Sequence, residues 1–494
     1  MAKIEEAVRN LGLHDQLGKC FVGGKWVAGE GPAFVADEPW TQSVVFEANE
    51  PSSSQIHLAA QVAQQAQAQW AALSMEDREE LLSRFVSLVA ENKAELSTIV
   101  STEAGKPVWE AEQEVSVIGG KLAATKAAYQ ARAASIVADT GSTSVSVETV
   151  FVPIGTCAVL GPYNFPLHMM NGQIIPALLA GNSVLIKPSE FGSASATAYT
   201  HLMERAGIPK GVVGLLIGGS RVGRALVEND LVDGVFFTGG AVAGAEIRKA
   251  CAKTNKACAI EAGGNGVLVV DEVSDVNAAA EIAIQSTFWS AGQRCNNARH
   301  IFITKSGRDS GFLDAYLNKA SDIFPATEPS DPKGFYGVLR RPSDKSRLLE
   351  HAAELEENGA KALFGSIEAQ NNVGRQEMLP IVYELEASRA IDQTEYMGPI
   401  IQVRFVEDID QAIDLANSVE LRLSAGLLAG NRAQFENFAA KMKFGNLTWN
   451  CPTANASGYA SFGGRGGSGN FRPAGYLAVD FCVTGVSRFM VSDE

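Results

Sequence analysis

SVLIKPSE, residues 183–190, runs as a short apolar strand into Lys187 and then breaks on a proline, a serine and a glutamate. A continuous apolar run of this length suits a strand covered on both faces. The unit recurs as CAVL from Cys157, VGLLI from Val213, VFFT from Val235 and VLVV from Val267, with helical stretches between. Strands alternating with helices predict an α/β fold with a mostly parallel sheet. Ligands of such sheets sit at the carboxyl ends of the strands. GPYNFP (residues 161–166) and KPSE each follow a strand directly and are expected at that edge.

Outward from this core, the first ~20 residues read as a small helical extension. FVGGKWVAGEG (residues 21–31) reads as a hairpin about its Gly-Gly pair. Ser74 and Asp77 form a capping-box pattern opening a helix that runs to Gly105 and Pro107, and another helix is expected from Trp109 to about Arg132. A second α/β section spans residues 262–450. SVSVETVFV (Ser144 to Val152) alternates strongly, and YLAVDFCVTGVSRFMV (Tyr476 to Val491) is strand-like. An exposed strand pair invites edge association, so both are read as an oligomerisation arm.

The chain has 494 residues, enough for two or three domains, and its 46% hydrophobic and 20% charged content is that of a globular enzyme. A net charge of −15 opposes phosphate-rich partners, so nucleic-acid and anionic-membrane binding are not expected. Seven scattered cysteines without a Cys-x-x-Cys pair argue against a disulfide framework and suit a reducing cytoplasm. The opening MAKIEEAVRN lacks a signal-peptide core, and the six histidines lack metal-ligand spacing, so no metal is expected.

Two glycine-flanked motifs carry the chemistry: AGQRCNN (residues 291–297) with Cys295, and IEAGGN (residues 260–265) with Glu261. A free cysteine is most often a small buried hydrophobe, but a polar, glycine-containing segment makes a poor core strand. A thiolate can attack an aldehyde carbon, and a carboxylate can activate the water that releases the acid. The thiolate needs positive potential or a base, and partial burial would raise the carboxyl into a useful range. Most glutamates are plain surface groups, and Asn164 beside a proline could be only a turn residue. IGGSRVG (residues 217–223) and FFTGGAVAG (residues 236–244) each follow a strand and open a helix, where glycines and N–H groups suit a pyrophosphate, although neither is the GxGxxG fingerprint.

The order and spacing of GPYNFP, IKPSE, IEAGGN, AGQRCNN and EYMGPI (residues 395–400) resemble the NAD(P)-dependent aldehyde dehydrogenase superfamily over essentially the whole chain after residue 20. The resemblance implies Cys295 as nucleophile, Glu261 as base for deacylation, and Asn164 with the cysteine N–H as donors to the oxyanion. It implies Lys187 and Glu190 on the adenosine ribose, Gly218, Gly223, Gly239 and Gly240 along the pyrophosphate, and Glu395 on the nicotinamide ribose. A carboxylate at 190 would repel a 2′-phosphate, which favours NAD over NADP. It also implies a Rossmann-type NAD-binding domain over residues 1–130 and 151–261, a catalytic domain over 262–450, an arm over 131–150 and 477–494, and a return segment over 451–476 completing the active site. A homodimer or dimer of dimers is expected. The sequence departs from the family pattern at Ala262, Gly240 and Met397, where leucine, serine and phenylalanine are usual.

AGKPVWEAEQEV (residues 104–115), NGQIIPALLAGN (residues 171–182) and SGNFRPAGYLAVDFC (residues 468–482) look closest to the N-succinylglutamate 5-semialdehyde dehydrogenases of arginine catabolism, although Cys451 and Arg465 depart from their pattern. Such a substrate carries two carboxylates. Arg294, Arg465 and Arg472 are candidates to pair them, against the stronger reading of each as an ordinary ion pair. A different small aldehyde, a CoA-acylating reaction and a catalytically silent relative are the alternatives.

Overall fold

The structure is a computed structural model describing residues 2–139 and 145–491. Its centre is a seven-stranded sheet. Five strands are parallel, in the order Ala257–Ala262, Gly234–Gly239, Thr156–Leu160, Ser183–Lys187 and Val213–Leu215. The hairpin Lys19–Val22 and Lys25–Ala28 extends this sheet antiparallel. Its turn residues Gly23 and Gly24 both have positive φ, the backbone that lets a two-residue loop follow the strand twist. All five residues of Ser183–Lys187 are buried, as its uninterrupted apolar pattern requires.

A second seven-stranded sheet takes the order Lys361–Phe364, Ile381–Glu384, Ile400–Phe405, Ala298–Ile303, Gly266–Val270, Ser424–Leu428 and Asn446–Trp449, parallel except at its first pair. The first sheet's edge strand ends at Ala262, and the next strand belongs to the second sheet. Residues 263–265 therefore bridge the two. The chain returns late: the N–H of Ala262 donates to the Ser468 carbonyl at 2.9 Å, and the Asn470 side chain accepts from Ile260 N–H and donates to the Cys258 carbonyl. The SGN segment thus forms an outer rail along the strand that carries Glu261.

Three elements differ from the sequence expectation. Residues 75–104 form two helices, Met75–Glu91 and Lys93–Ala104, because Asn92 turns its amide back onto the Leu88 carbonyl and leaves helical geometry. Trp109 to Arg132 is likewise two helices, Val108–Ser116 and Gly120–Arg132, parted near the weak helix former Gly119. Tyr476–Phe481 is a 3₁₀ turn rather than strand. Gly475 at φ 67° bends the chain, and Phe481 packs on Phe236 with ring centroids 4.7 Å apart. The strand proper is Val483–Val491, paired antiparallel with Val145–Pro153 over nine residues. Residues 140–144 and 492–494 of the expected arm lie outside the described residues. Among the described residues no helix is long and apolar enough to cross a membrane.

Candidate active site

A cavity of about 1240 Å³ opens along the carboxyl ends of the first sheet. Asn164, Lys187, Glu190, Gly223, Gly239, Gly240, Glu261, Cys295 and Glu395 all line it, so nine residues chosen from separate motifs meet in one space. Gly218, Arg294, Arg465 and Arg472 do not line it. A Cβ on Gly218 would press on Val222 and Glu50, and Glu50 accepts the Gly219 N–H at 2.6 Å and pairs with Arg221. Its turn is closed by protein, and the glycine that reaches the cavity is Gly223, within the helix Ser220–Glu228.

Cys295 follows an unusual turn. Ser290, Ala291 and Gly292 are consecutive residues at φ 58°, 56° and 72°. Left-handed backbone costs a non-glycine residue on the order of 1–3 kcal/mol and persists only when surroundings over-determine it. Here the surroundings do so. A Cβ on Gly292 would lie 2.3 Å from the Gly398 carbonyl, so backbone meets backbone between AGQRC and EYMGP. A Cβ on Gly264 would meet the Cys295 carbonyl at 2.1 Å, giving the same close approach from the IEAGGN side. Asn164 locks the third motif to this turn through Nδ2 to the Gln293 carbonyl at 2.7 Å.

Cys295 is half-buried, set deep in the protein yet open to the cavity. Its thiol is pushed up to about 12 by burial first and by the negative charges of Glu395 and Glu261, with Arg299 and its own backbone N–H acting the other way. The local field therefore opposes the thiolate. The sequence calls for positive potential or a base, and here burial, then the carboxylates of Glu395 and Glu261, outweigh the guanidinium of Arg299. Glu261 is buried, and burial holds its carboxyl well above the ordinary range despite backbone N–H donors from Ala474 and Gly464. Oε2 of Glu261 takes no hydrogen bond from the protein.

Glu395 accepts the Gly264 N–H at 3.0 Å and pairs with Arg299 at 3.3 Å. The sequence reading missed Arg299, four residues beyond Cys295, although a second arginine close to that cysteine was the available signal. Lys187 is buried with Glu190 at 4.0 Å, and burial lowers its ammonium below the usual lysine value. Met397, at the departure from the family pattern, lines the cavity, and Tyr163 approaches its sulfur at 3.8 Å.

The residues fit a dinucleotide. The helix Ala241–Thr254 starts on Gly240 with no side-chain cap, and a Cβ on Gly240 would have no neighbour within 4 Å among the described residues. Free N–H groups and open space at a helix start suit a pyrophosphate. Arg294 faces other work: it pairs with Glu110 at 3.0 Å, donates to Ser290 at 2.8 Å and lies over Phe165 and Trp289. Arg465 and Arg472 are exposed.

The meeting of a thiol, an amide and a carboxylate in one cavity agrees with the comparisons. Residues 26–484 match the aldehyde dehydrogenase family. The chain is 36% identical over 464 residues to the N-succinylglutamate 5-semialdehyde dehydrogenase of Acinetobacter baylyi and 37% identical to that of Burkholderia cenocepacia, covering 94% of each chain. Among solved structures it is similar to the succinate-semialdehyde dehydrogenase of Burkholderia pseudomallei (26% identity, TM-score 0.88, 96% and 98% of the two chains). It is also similar to a P. syringae indole-3-acetaldehyde dehydrogenase in complex with NAD+ (25% identity, TM-score 0.91, 99% of each). The chain belongs to the aldehyde dehydrogenase family. It is an NAD(P)-dependent oxidoreductase acting on a small-molecule aldehyde.

Proposed function

We propose that this enzyme oxidises N-succinyl-L-glutamate 5-semialdehyde to N-succinyl-L-glutamate with NAD, in arginine catabolism. The observation that carries the chemistry is the meeting of Cys295, Glu261 and Asn164 in one cavity. The substrate rests on the names of relatives that share 36–37% of residues over 94% of the chain. The Cys295 thiol gives up its proton to solvent as its sulfur attacks the aldehyde carbon, and the new oxyanion takes hydrogen bonds from Asn164 Nδ2 and the Cys295 N–H. Lys187 and Glu190 would hold the adenosine ribose, the glycines at 223, 239 and 240 the pyrophosphate, and Glu395 the nicotinamide ribose. NAD, when bound, supplies the hydride acceptor. Loss of hydride from the thiohemiacetal leaves a thioester on Cys295. Glu261 then takes a proton from water, whose oxygen displaces the sulfur as the acid.

Arg294 is committed to Glu110, and Arg465 and Arg472 do not line the cavity, so none of the three sequence candidates is placed to meet the substrate's carboxylates. The exposed apolar side chains Val137, Phe489 and Val491 on the sheet of Ile136–Ala138, Val145–Pro153 and Val483–Val491 support a homodimer or dimer of dimers through that arm. Seven free cysteines accord with a cytoplasmic setting. The test is an aldehyde panel with NAD. Succinylglutamate semialdehyde is expected to exceed simple aliphatic and aromatic aldehydes in kcat/KM by about 10-fold or more, the worth of one charge-assisted hydrogen bond. Equal turnover of the simple aldehydes removes the substrate assignment, and a normal NADH burst from Cys295→Ala removes the nucleophile.

A further inference from the structure

Residues 104–115, AGKPVWEAEQEV, contribute no group to the reaction above, yet their helix Val108–Ser116 presents two carboxylates that are 1% and 2% exposed. These are Glu110 and Glu114, one helical turn apart and so on one face. Glu110 Oε1 accepts hydrogen bonds from the Ser290 hydroxyl and from Arg294 Nη2, while Arg294 Nε donates to the same hydroxyl. Ser290 opens the left-handed turn, and Arg294 directly precedes Cys295. A buried carboxylate thus grips the turn at its start and just before the nucleophile.

Glu114 acts on a different loop. Its Oε1 accepts the N–H groups of Leu167 at 2.9 Å and His168 at 3.1 Å, the free donors at the start of the helix His168–Ala180. The cap residue there is a leucine, which has no oxygen to offer, so the carboxylate is brought from another helix. Negative charge is favoured at that end of a helix. The helix start is also where GPYNFP ends, three residues beyond Asn164. Lys106 pairs with Glu114 Oε2 at 2.7 Å and its ammonium lies 3.4 Å from the Phe165 ring centroid, closing the same loop from outside.

The geometry points to Glu110 and Glu114 as positioning residues for the two halves of the reacting centre. Glu110 sets the turn that aims the Cys295 sulfur, and Glu114 sets the loop that aims the Asn164 amide. One rigid helix spaces the two, so the nucleophile and the oxyanion donor keep register although they come from distant parts of the chain. The inference rests on Cys295 and Asn164 having the roles given above.

Glu110→Gln, Glu114→Gln and Ser290→Ala separate positioning from simple structure, read by the NADH burst rate, the rate of Cys295 alkylation by iodoacetamide, NAD binding and Tm. Glu110→Gln is expected to slow both burst and alkylation, the burst by about 10²-fold, the scale of an ångström-sized misplacement. Glu114→Gln is expected to slow the burst while leaving alkylation within about twofold, because only the oxyanion donor moves. NAD binding should hold in both. Ser290→Ala removes the shared hydroxyl without a buried charge and should slow the burst by about 10-fold, which keeps the test open if a glutamine variant does not fold. Burst rates within twofold of the parent in the folded variants overturn the inference, as does equal loss in burst and alkylation for both glutamines. The underlying reading fails separately, through an unchanged burst in Cys295→Ala.

Discussion

Glu261 and Glu395 both line one cavity, and their surroundings differ in kind. Glu261 sits on a strand of the first sheet with backbone N–H groups for company and, among the described residues, no cation paired with it and one oxygen without a partner. Glu395 lies between the second-sheet strands Ile381–Glu384 and Ile400–Phe405, gripped by a backbone N–H and by the buried guanidinium of Arg299. Burial raises both carboxyls, but for Glu395 Arg299 pulls back toward the charged form. The difference teaches how one pocket makes two tools from one side chain. On the proposed roles, the carboxylate that takes and releases a proton is kept away from cations, whereas the one that holds hydroxyls is anchored by a cation that offsets part of the cost of its burial.

Replacing Glu261 should break the comparison most severely. Glu261→Gln keeps size and hydrogen bonding but cannot accept a proton, so kcat should fall by about 10²–10⁴ while the NADH burst persists at one equivalent per site. Rapid-quench burst measurements check this, and a lost burst would place Glu261 in the first half of the reaction. The parent's deacylation should rise with pH to a plateau above the ordinary carboxylate range, because the base works only when deprotonated and burial has raised its titration.

Glu395→Gln tests the anchored wall. It should weaken NAD binding by about 10-fold, one charge-assisted hydrogen bond, and leave the fate of the thioester unchanged. Fluorescence titration reads the affinity, and unchanged binding would remove Glu395 from the ribose. The smallest effect sharpens the comparison electrostatically. Without cofactor, Cys295 alkylation should keep rising with pH well beyond 9, since the thiol is pushed up to about 12. A thiol is neutral until it ionises, so removing a neighbouring negative charge favours the thiolate, and Glu395→Gln should move the profile to lower pH. A shift to higher pH would contradict the field described here.

Much of this was legible in the chain. The apolar runs at 157, 183, 213, 235 and 267 all contain strands, because a short strand buried on both faces is apolar throughout. Boundaries that depend on weak local preferences, such as the breaks at Asn92 and Gly119, were not legible from periodicity. Arg294 shows a different limit: its place beside Cys295 suggested substrate binding, while a glutamate 184 positions earlier had claimed it.

The order of apolar and glycine-rich segments therefore determined the layered α/β architecture, and the residue types Cys295, Glu261 and Asn164 determined the class of reaction available. Charge state and aim were decided only in three dimensions. Burial and neighbouring charge scale with distance through space, and the groups that govern them here, Arg299 against Glu395 and Glu110 against Arg294, lie far apart along the chain.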